Sequence, residues 1–206
     1  MSCRVKICGI TNLEDALQAL GAGADALGFV FYDKSPRYVS PDVANQIVSQ
    51  LPPFVVPVGL FVNAPDDLVE QVSQGSVRWV IQFHGDETPE QCESYGKPYY
   101  KALRMKPDVD VLREASNYPS ALAILLDAYK PGIPGGTGET FNWNAIPAQL
   151  PKPLILAGGL TPDNVATAVN TVKPYAVDVS GGVERSKGLK DPDRVIQFIN
   201  GAKHGG

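Results

Sequence analysis

The 206-residue chain is 44% hydrophobic with a formal net charge of −4, which suits a globular protein able to bury a sizeable core without disulfides or structural metal. The acidic balance, with no run of Lys or Arg, argues against nucleic acid or an anionic membrane as a partner held by bulk charge. An anionic ligand has to be held locally.

In chain order, "RVKIC" reads as a strand over 5–8, and Cys8 stands where the Gly-marked turn "CGIT" begins. "TNLEDALQAL" follows as a helix with Thr11 or Asn12 as N-cap. A strand at 26–30 leads through "DKSPRY" to a helix with Ser40 as N-cap and Pro41 at its first position. Strands are expected at 55–61, 77–83 and 99–103, then a short helix near 109–115 and a strand at 122–127. Past the glycine-rich stretch "PGIPGGTGETFNW", a short helix is expected at 144–149, with strands at 154–157 and 176–180. Between these last strands "TPDNVATAVNTV" should start a helix on Thr161 and Pro162.

Eight βα pairs of about 26 residues, without a linker or composition break, predict one α/β domain over 1–206, a (β/α)8 TIM barrel near minimal length. A Rossmann sheet would want G-x-G-x-x-G after the first strand, where "ICGITN" has one glycine. In a barrel the C-terminal strand ends share one mouth. Cys8, His84, Asp127, "AGGL" and "VSGGVE" are thereby expected to converge.

Gly158, Gly159, Gly181 and Gly182 would let backbone N–H groups approach a phosphate, although such glycines also serve tight turns. The stretch 131–143 reads as a cover or a further polar wall of the mouth. Alternation along β-strand one points Lys6 and Cys8 to the barrel axis, where Asp178 of the neighbouring eighth strand would pair with Lys6. The Lys6 charge should favour a Cys8 thiolate, fit to act as base or nucleophile. Asp127 closes the apolar run "LAILLD", where partial burial suits an acid. Arg37 could fork onto a carboxylate or phosphate, or stay solvated. His84 either contacts substrate or is satisfied by its own loop.

The three cysteines, Cys3, Cys8 and Cys92, read as free thiols of a cytoplasmic protein. With His84 and His204 they offer no zinc-ligand spacing, so no metal is expected. "MSCRVK" lacks a cleavable leader pattern, and no apolar run reaches the ~20 residues of a membrane span.

"KICGIT", "SPRYV", "QFHG", "LLD" with "GGTG", "LAGGL" and "DVSGGVE", in order from residue 6 to 184, resemble the phosphoribosylanthranilate isomerases of tryptophan biosynthesis. The resemblance implies an Amadori rearrangement of N-(5-phosphoribosyl)anthranilate without metal or cofactor, with Cys8 as base, Asp127 as acid and Arg37 on the substrate carboxylate. The remaining substrate contacts would fall to His84, Asp178 and the four glycines, in a monomer or homodimer. Phe83, Gly181 and Asn142 depart from the family's commoner Leu, second Ser of "SSGVE" and Asp of "FDW". Only Gly181 touches the expected site, and it keeps the backbone donor while losing a hydroxyl. A phosphosugar epimerase would want metal ligands, a synthase of this type an axial lysine, and a phosphometabolite sensor neither Cys8 nor Asp127.

Overall fold

The computed structural model describes residues 2–106, 109–128 and 141–205. Eight parallel strands close a barrel: β1 (Arg4–Cys8), β2 (Ala26–Val30), β3 (Val56–Phe61), β4 (Val80–Phe83), β5 (Tyr99–Met105), β6 (Ile124–Ala128), β7 (Leu154–Leu156) and β8 (Ala176–Val179). Closure is made by β1, which pairs with β2 on one side and β8 on the other. The expected (β/α)8 barrel is therefore the observed architecture.

Helices α1 (Leu13–Gly21), α2 (Pro41–Ser49), α3 (Asp66–Gly75), α4 (Pro89–Ser94), α5 (Val111–Ser116), α6 (Val165–Val172) and α7 (Pro192–His204) cover the strands. Their starts follow local chemistry. Asn12, not Thr11, caps α1 by accepting from Asp15 N–H at 2.8 Å. Ser40 caps α2 with Pro41 behind it, and Thr88 with Gln91 forms a reciprocal capping box on α4.

Two apolar layers result, as strand alternation requires. Val58, Tyr100, Leu125 and Ile155 fill the barrel interior. Ile7, Phe29, Ile81 and Val177 face outward into the layer shared with the helices, where Phe29 meets Trp79 edge to face at 5.4 Å.

Four expectations need correction. The fourth strand starts at Val80 rather than 77: Val77 is 92% exposed, and the Arg78 guanidinium turns to the carbonyls of Val48, Leu51, Pro52 and Val55. Arg78 thus ties the lower rim, which competes with ladder pairing. The helix expected at 144–149 is a single 3₁₀ turn, Trp143–Ala145, which Asn142 caps by accepting from Asn144 N–H at 3.0 Å. The helix expected from Thr161 and Pro162 begins at Val165, because Asn164 Oδ1 accepts from Thr161 N–H at 2.8 Å and holds the preceding residues in a turn. Finally, the eighth strand does not run straight into its helix. A 3₁₀ turn (Gly181–Val183) and a small antiparallel hairpin, β9 (Glu184–Ser186) with β10 (Leu189–Lys190), intervene. Of the glycine-rich stretch 131–143, residues up to 140 lie outside the described residues.

Candidate active site

The C-terminal strand ends surround a cavity of about 550 Å³. Its lining includes Cys8, Arg37, His84, Asp127 and Asp178, with Gly158, Gly159, Gly181 and Gly182 along one wall. Of the residues singled out in the sequence for chemistry, all but Lys6 therefore line one chamber.

Register explains how Cys8 and Lys6 fit on the barrel axis. Cys8 stands opposite Gly28 of β2, and Lys6 opposite Asp178 of β8. A Cβ on Gly28 would lie 2.7 Å from Cys8 Sγ and 2.9 Å from Lys6 Cε, so this glycine leaves the room that both side chains occupy. Lys6 Nζ donates to Asp178 Oδ1 at 2.9 Å and to Gln82 Oε1 at 3.0 Å, all buried. Burial opposes the Lys6 charge, but Asp178, Cys8 and Tyr100 outweigh it and hold the ammonium well above its ordinary range.

Lys6 does draw Cys8 toward the thiolate, yet the expectation of a favoured thiolate needs correction. Cys8 is only 4% exposed. Burial is the largest influence and pushes the thiol up, Asp178 adds to it, and Lys6 and Lys190 only partly offset it. Burial thus weighs against a resting thiolate despite the pull of the two lysines.

Asp127 sits at the end of β6, where Oδ1 accepts from Ala128 N–H at 2.9 Å and Oδ2 lies 3.1 Å from His84 Nε2. His84 Nδ1 lies 2.7 Å from Gln82 Nε2. His84 is thus tied to the acid candidate by one ring nitrogen and to the barrel interior by the other.

Arg37 is neither solvated nor free to present its whole fork. Nε and Nη2 donate to Glu184 Oε1 and Oε2 at 2.7 and 2.8 Å. Lys190 Nζ reaches the same carboxylate at 3.0 Å and the Ser180 carbonyl at 3.2 Å. Two cations on one carboxylate leave a single positive charge in excess at the cavity wall. Burial alone would raise the Glu184 carboxyl, but Arg37 and Lys190 hold it below its ordinary range.

The glycine wall is built for close approach. Gly158 and Gly159 have φ of +84° and +64°. A Cβ on Gly182 would collide with the Leu160 carbonyl oxygen. Beside them Ser180 Oγ is buried without a hydrogen-bond partner among the described residues.

Gly28, Gln82, Glu184 and Lys190 escaped the sequence reading. The first two sit inside strands, and only strand register reveals their axial neighbours. Glu184 and Lys190 were hidden by the unforeseen hairpin, although an acidic residue closing "SGGVE" was a usable signal.

Among the described residues no group of three or more His, Cys, Asp and Glu is placed to hold a metal ion, and no helix is long and apolar enough to cross a membrane.

Residues 5–201 match the family model of N-(5'-phosphoribosyl)anthranilate (PRA) isomerase. The chain is 64% identical over 205 residues to the N-(5'-phosphoribosyl)anthranilate isomerase of Marinomonas sp. (strain MWYL1), covering 100% of both. It superposes on the crystal structure of phosphoribosyl anthranilate isomerase from Thermotoga maritima with a TM-score of 0.87 at 45% identity, over 97% of this chain and 98% of that one. A further phosphoribosyl anthranilate isomerase structure, in complex with reduced 1-(o-carboxyphenylamino)-1-deoxyribulose 5-phosphate, gives 0.84 at 43% identity, over 97% and 98% of the two chains. Barrel, cavity and these likenesses agree: the chain belongs to the N-(5'-phosphoribosyl)anthranilate isomerase family.

Proposed function

We propose that this cavity carries out the family's reaction with Cys8 as general base and Asp127 as general acid. The substrate is N-(5'-phosphoribosyl)anthranilate and the product 1-(2-carboxyphenylamino)-1-deoxyribulose 5-phosphate, an intramolecular aldose–ketose isomerisation in tryptophan biosynthesis. The observation that carries the reading is the single chamber lined by a thiol, a carboxyl group, a cationic wall and two glycine pairs.

Asp127 delivers a proton to the ribose ring oxygen as the C1–O bond breaks, and the anthranilate nitrogen lone pair forms a protonated C1=N bond. That iminium acidifies the C2 proton. Cys8, as the thiolate, removes it, and the C2–H electron pair becomes the C1=C2 bond of an enolamine, which takes up a proton at C1 as the C2 hydroxyl gives up its own, leaving the C2 ketone. The raised thiol fits this order: bound substrate displaces water, and Lys6 and Lys190 supply positive charge where the thiolate forms.

The phosphate is assigned to the Gly158–Gly159 and Gly181–Gly182 backbone with Ser180 Oγ as an added donor. The anthranilate carboxylate is assigned to the free edge of Arg37 and the excess charge of its cluster with Lys190. Two anionic anchors then hold the sugar between acid and base. Cytoplasmic residence and action on a small phosphorylated molecule, as monomer or homodimer, go with this reading.

The test is conversion of freshly generated phosphoribosylanthranilate, followed by loss of anthranilate-type fluorescence. Cys8→Ala and Asp127→Ala are each expected to lower kcat by about 10²–10⁴, and Arg37→Ala to act mainly on KM. No turnover by the parent protein would overturn the reading and leave a phosphometabolite-binding barrel. Substrate binding without turnover, unchanged in Cys8→Ala, Asp127→Ala, would identify that alternative.

A further inference from the structure

A buried chain of hydrogen bonds crosses the barrel from the lysine beside Cys8 to Asp127, through Gln82 of β4 and His84 just past it. Its direction can be read from chemistry alone. The Lys6 ammonium has donors and no acceptor, so the Gln82 atom facing it at 3.0 Å has to be the carbonyl oxygen. The Tyr100 hydroxyl meets the same oxygen at 3.0 Å. The Gln82 amide therefore cannot be flipped, and its N–H group is the one directed to His84 Nδ1 at 2.7 Å.

An N–H donor facing Nδ1 makes that nitrogen the acceptor, which puts the ring proton on Nε2. Nε2–H then donates to Asp127 Oδ2 at 3.1 Å, while Ala128 N–H holds Oδ1 at 2.9 Å. Gln82 is wholly buried and Lys6, His84 and Asp127 nearly so, with His84 and Asp127 facing the cavity.

We propose that Gln82 is a positioning residue that locks His84 in the Nε2–H tautomer, so that the imidazole meets Asp127 as a donor and fixes how its carboxyl group is aimed. An Nδ1–H ring would set that N–H against the Gln82 N–H, a buried donor facing a donor, and would leave Asp127 Oδ2 without the N–H that holds it. The lock is fixed by Lys6, the same cation that serves Cys8. One lysine organises both halves of the site.

This inference rests on the acid role proposed for Asp127, but the two can fail separately. With only one other histidine in the chain, His204, the ring nitrogens of His84 are assignable in a ¹⁵N-histidine-labelled sample by comparison with His204→Gln. Long-range ¹H–¹⁵N correlation of the parent protein at pH 7.5 is expected to show a protonated Nε2 and an unprotonated Nδ1. Gln82→Glu replaces the donor by an acceptor and is expected to bring a proton onto Nδ1. With it, kcat should fall by about tenfold or more at little change in KM. An Nδ1–H tautomer or an imidazolium in the parent overturns the proposal without any variant having to fold. So does a Gln82→Glu protein with normal kcat and Nδ1 protonated. A normal tautomer together with full activity of Asp127→Asn would instead remove the acid role and leave the lock standing as structure only.

Discussion

Arg37 holds Glu184 through two parallel hydrogen bonds of 2.7 and 2.8 Å, and it does so from the loop after β2 across to the first residue of β9. This fork closes the mouth between the two segments that flank β1. It also fixes the guanidinium plane before any substrate arrives, which limits the entropy lost on binding a carboxylate.

Glu184→Gln should therefore cost stability in a pH-dependent way. The Glu184 carboxyl lies below its ordinary range in the folded chain because Arg37 and Lys190 outweigh burial. A depressed carboxyl stabilises the fold fully above its unfolded value of about 4.3, and that contribution is lost as pH falls through the lower folded value. Chemical denaturation should show the variant weaker by about 1–3 kcal/mol at pH 7, with the gap to the parent closing below about pH 4. A gap that stays constant from pH 7 to 3 would contradict an ionised Glu184.

The Lys6–Asp178 pair, 2.9 Å apart and about nine-tenths or more buried on both sides, makes a second stability prediction. Lys6→Met leaves the Asp178 charge unpaired in the barrel and should destabilise by about 3–5 kcal/mol. Adding Asp178→Asn should recover part of that loss, a coupling of about 0.5–3 kcal/mol in a double-mutant cycle. Strictly additive losses would mean that the two charges do not stabilise each other.

Cys8 makes a prediction about rate. Its thiol is pushed above the ordinary value of 9.0, chiefly by burial and against the pull of Lys6. As the thiolate is the reactive form, the limb of the kcat/KM profile that reports Cys8 should lie at higher pH than an ordinary thiol would place it. Lys190→Met removes one of the two cations near the sulfur and should displace the rising limb to higher pH. A plateau already reached below pH 7 in the parent would show that the thiolate is the resting form.

The barrel and its mouth were legible because each rests on short-range pattern. Apolar runs at a regular spacing, ended by Gly, Pro or Asn, place the strands, and once they close a ring the ends become neighbours. Alternation along "RVKIC" alone placed Lys6 on the axis, and closure of β1 on β8 then brought it to Asp178. What stayed hidden depends on contacts between distant segments. Gln82 looks like an ordinary strand residue until its neighbours are seen to be Lys6, Tyr100 and His84. Arg78 ends a helix–strand connection whose apolar neighbours imitate a strand, and only its four carbonyl partners explain why the ladder starts two residues later. The balance at Cys8 was misjudged because one nearby cation is visible in the sequence, whereas the depth of burial is not.

The glycine wall supplies the last prediction, because Gly158 serves two functions at once. Its φ of +84° is costly for any residue with a side chain. An added Cβ would collide with Ala128 N and lie 3.0 Å from Asp127 Oδ1. That N–H is the donor that holds Asp127 Oδ1 at 2.9 Å. Gly158→Ala should therefore raise KM through the phosphate loop and also lower kcat through the acid, each by about tenfold or more. Gly181→Ala is the matched comparison on the neighbouring loop. There the Cβ meets Arg37 Nη2 at 3.0 Å, the end that Glu184 holds, so the strain falls on the carboxylate anchor: KM should rise while kcat stays within about threefold of the parent. Equal losses of kcat in the two variants would mean that the phosphate grip alone, rather than the link from Gly158 to the acid, governs the rate.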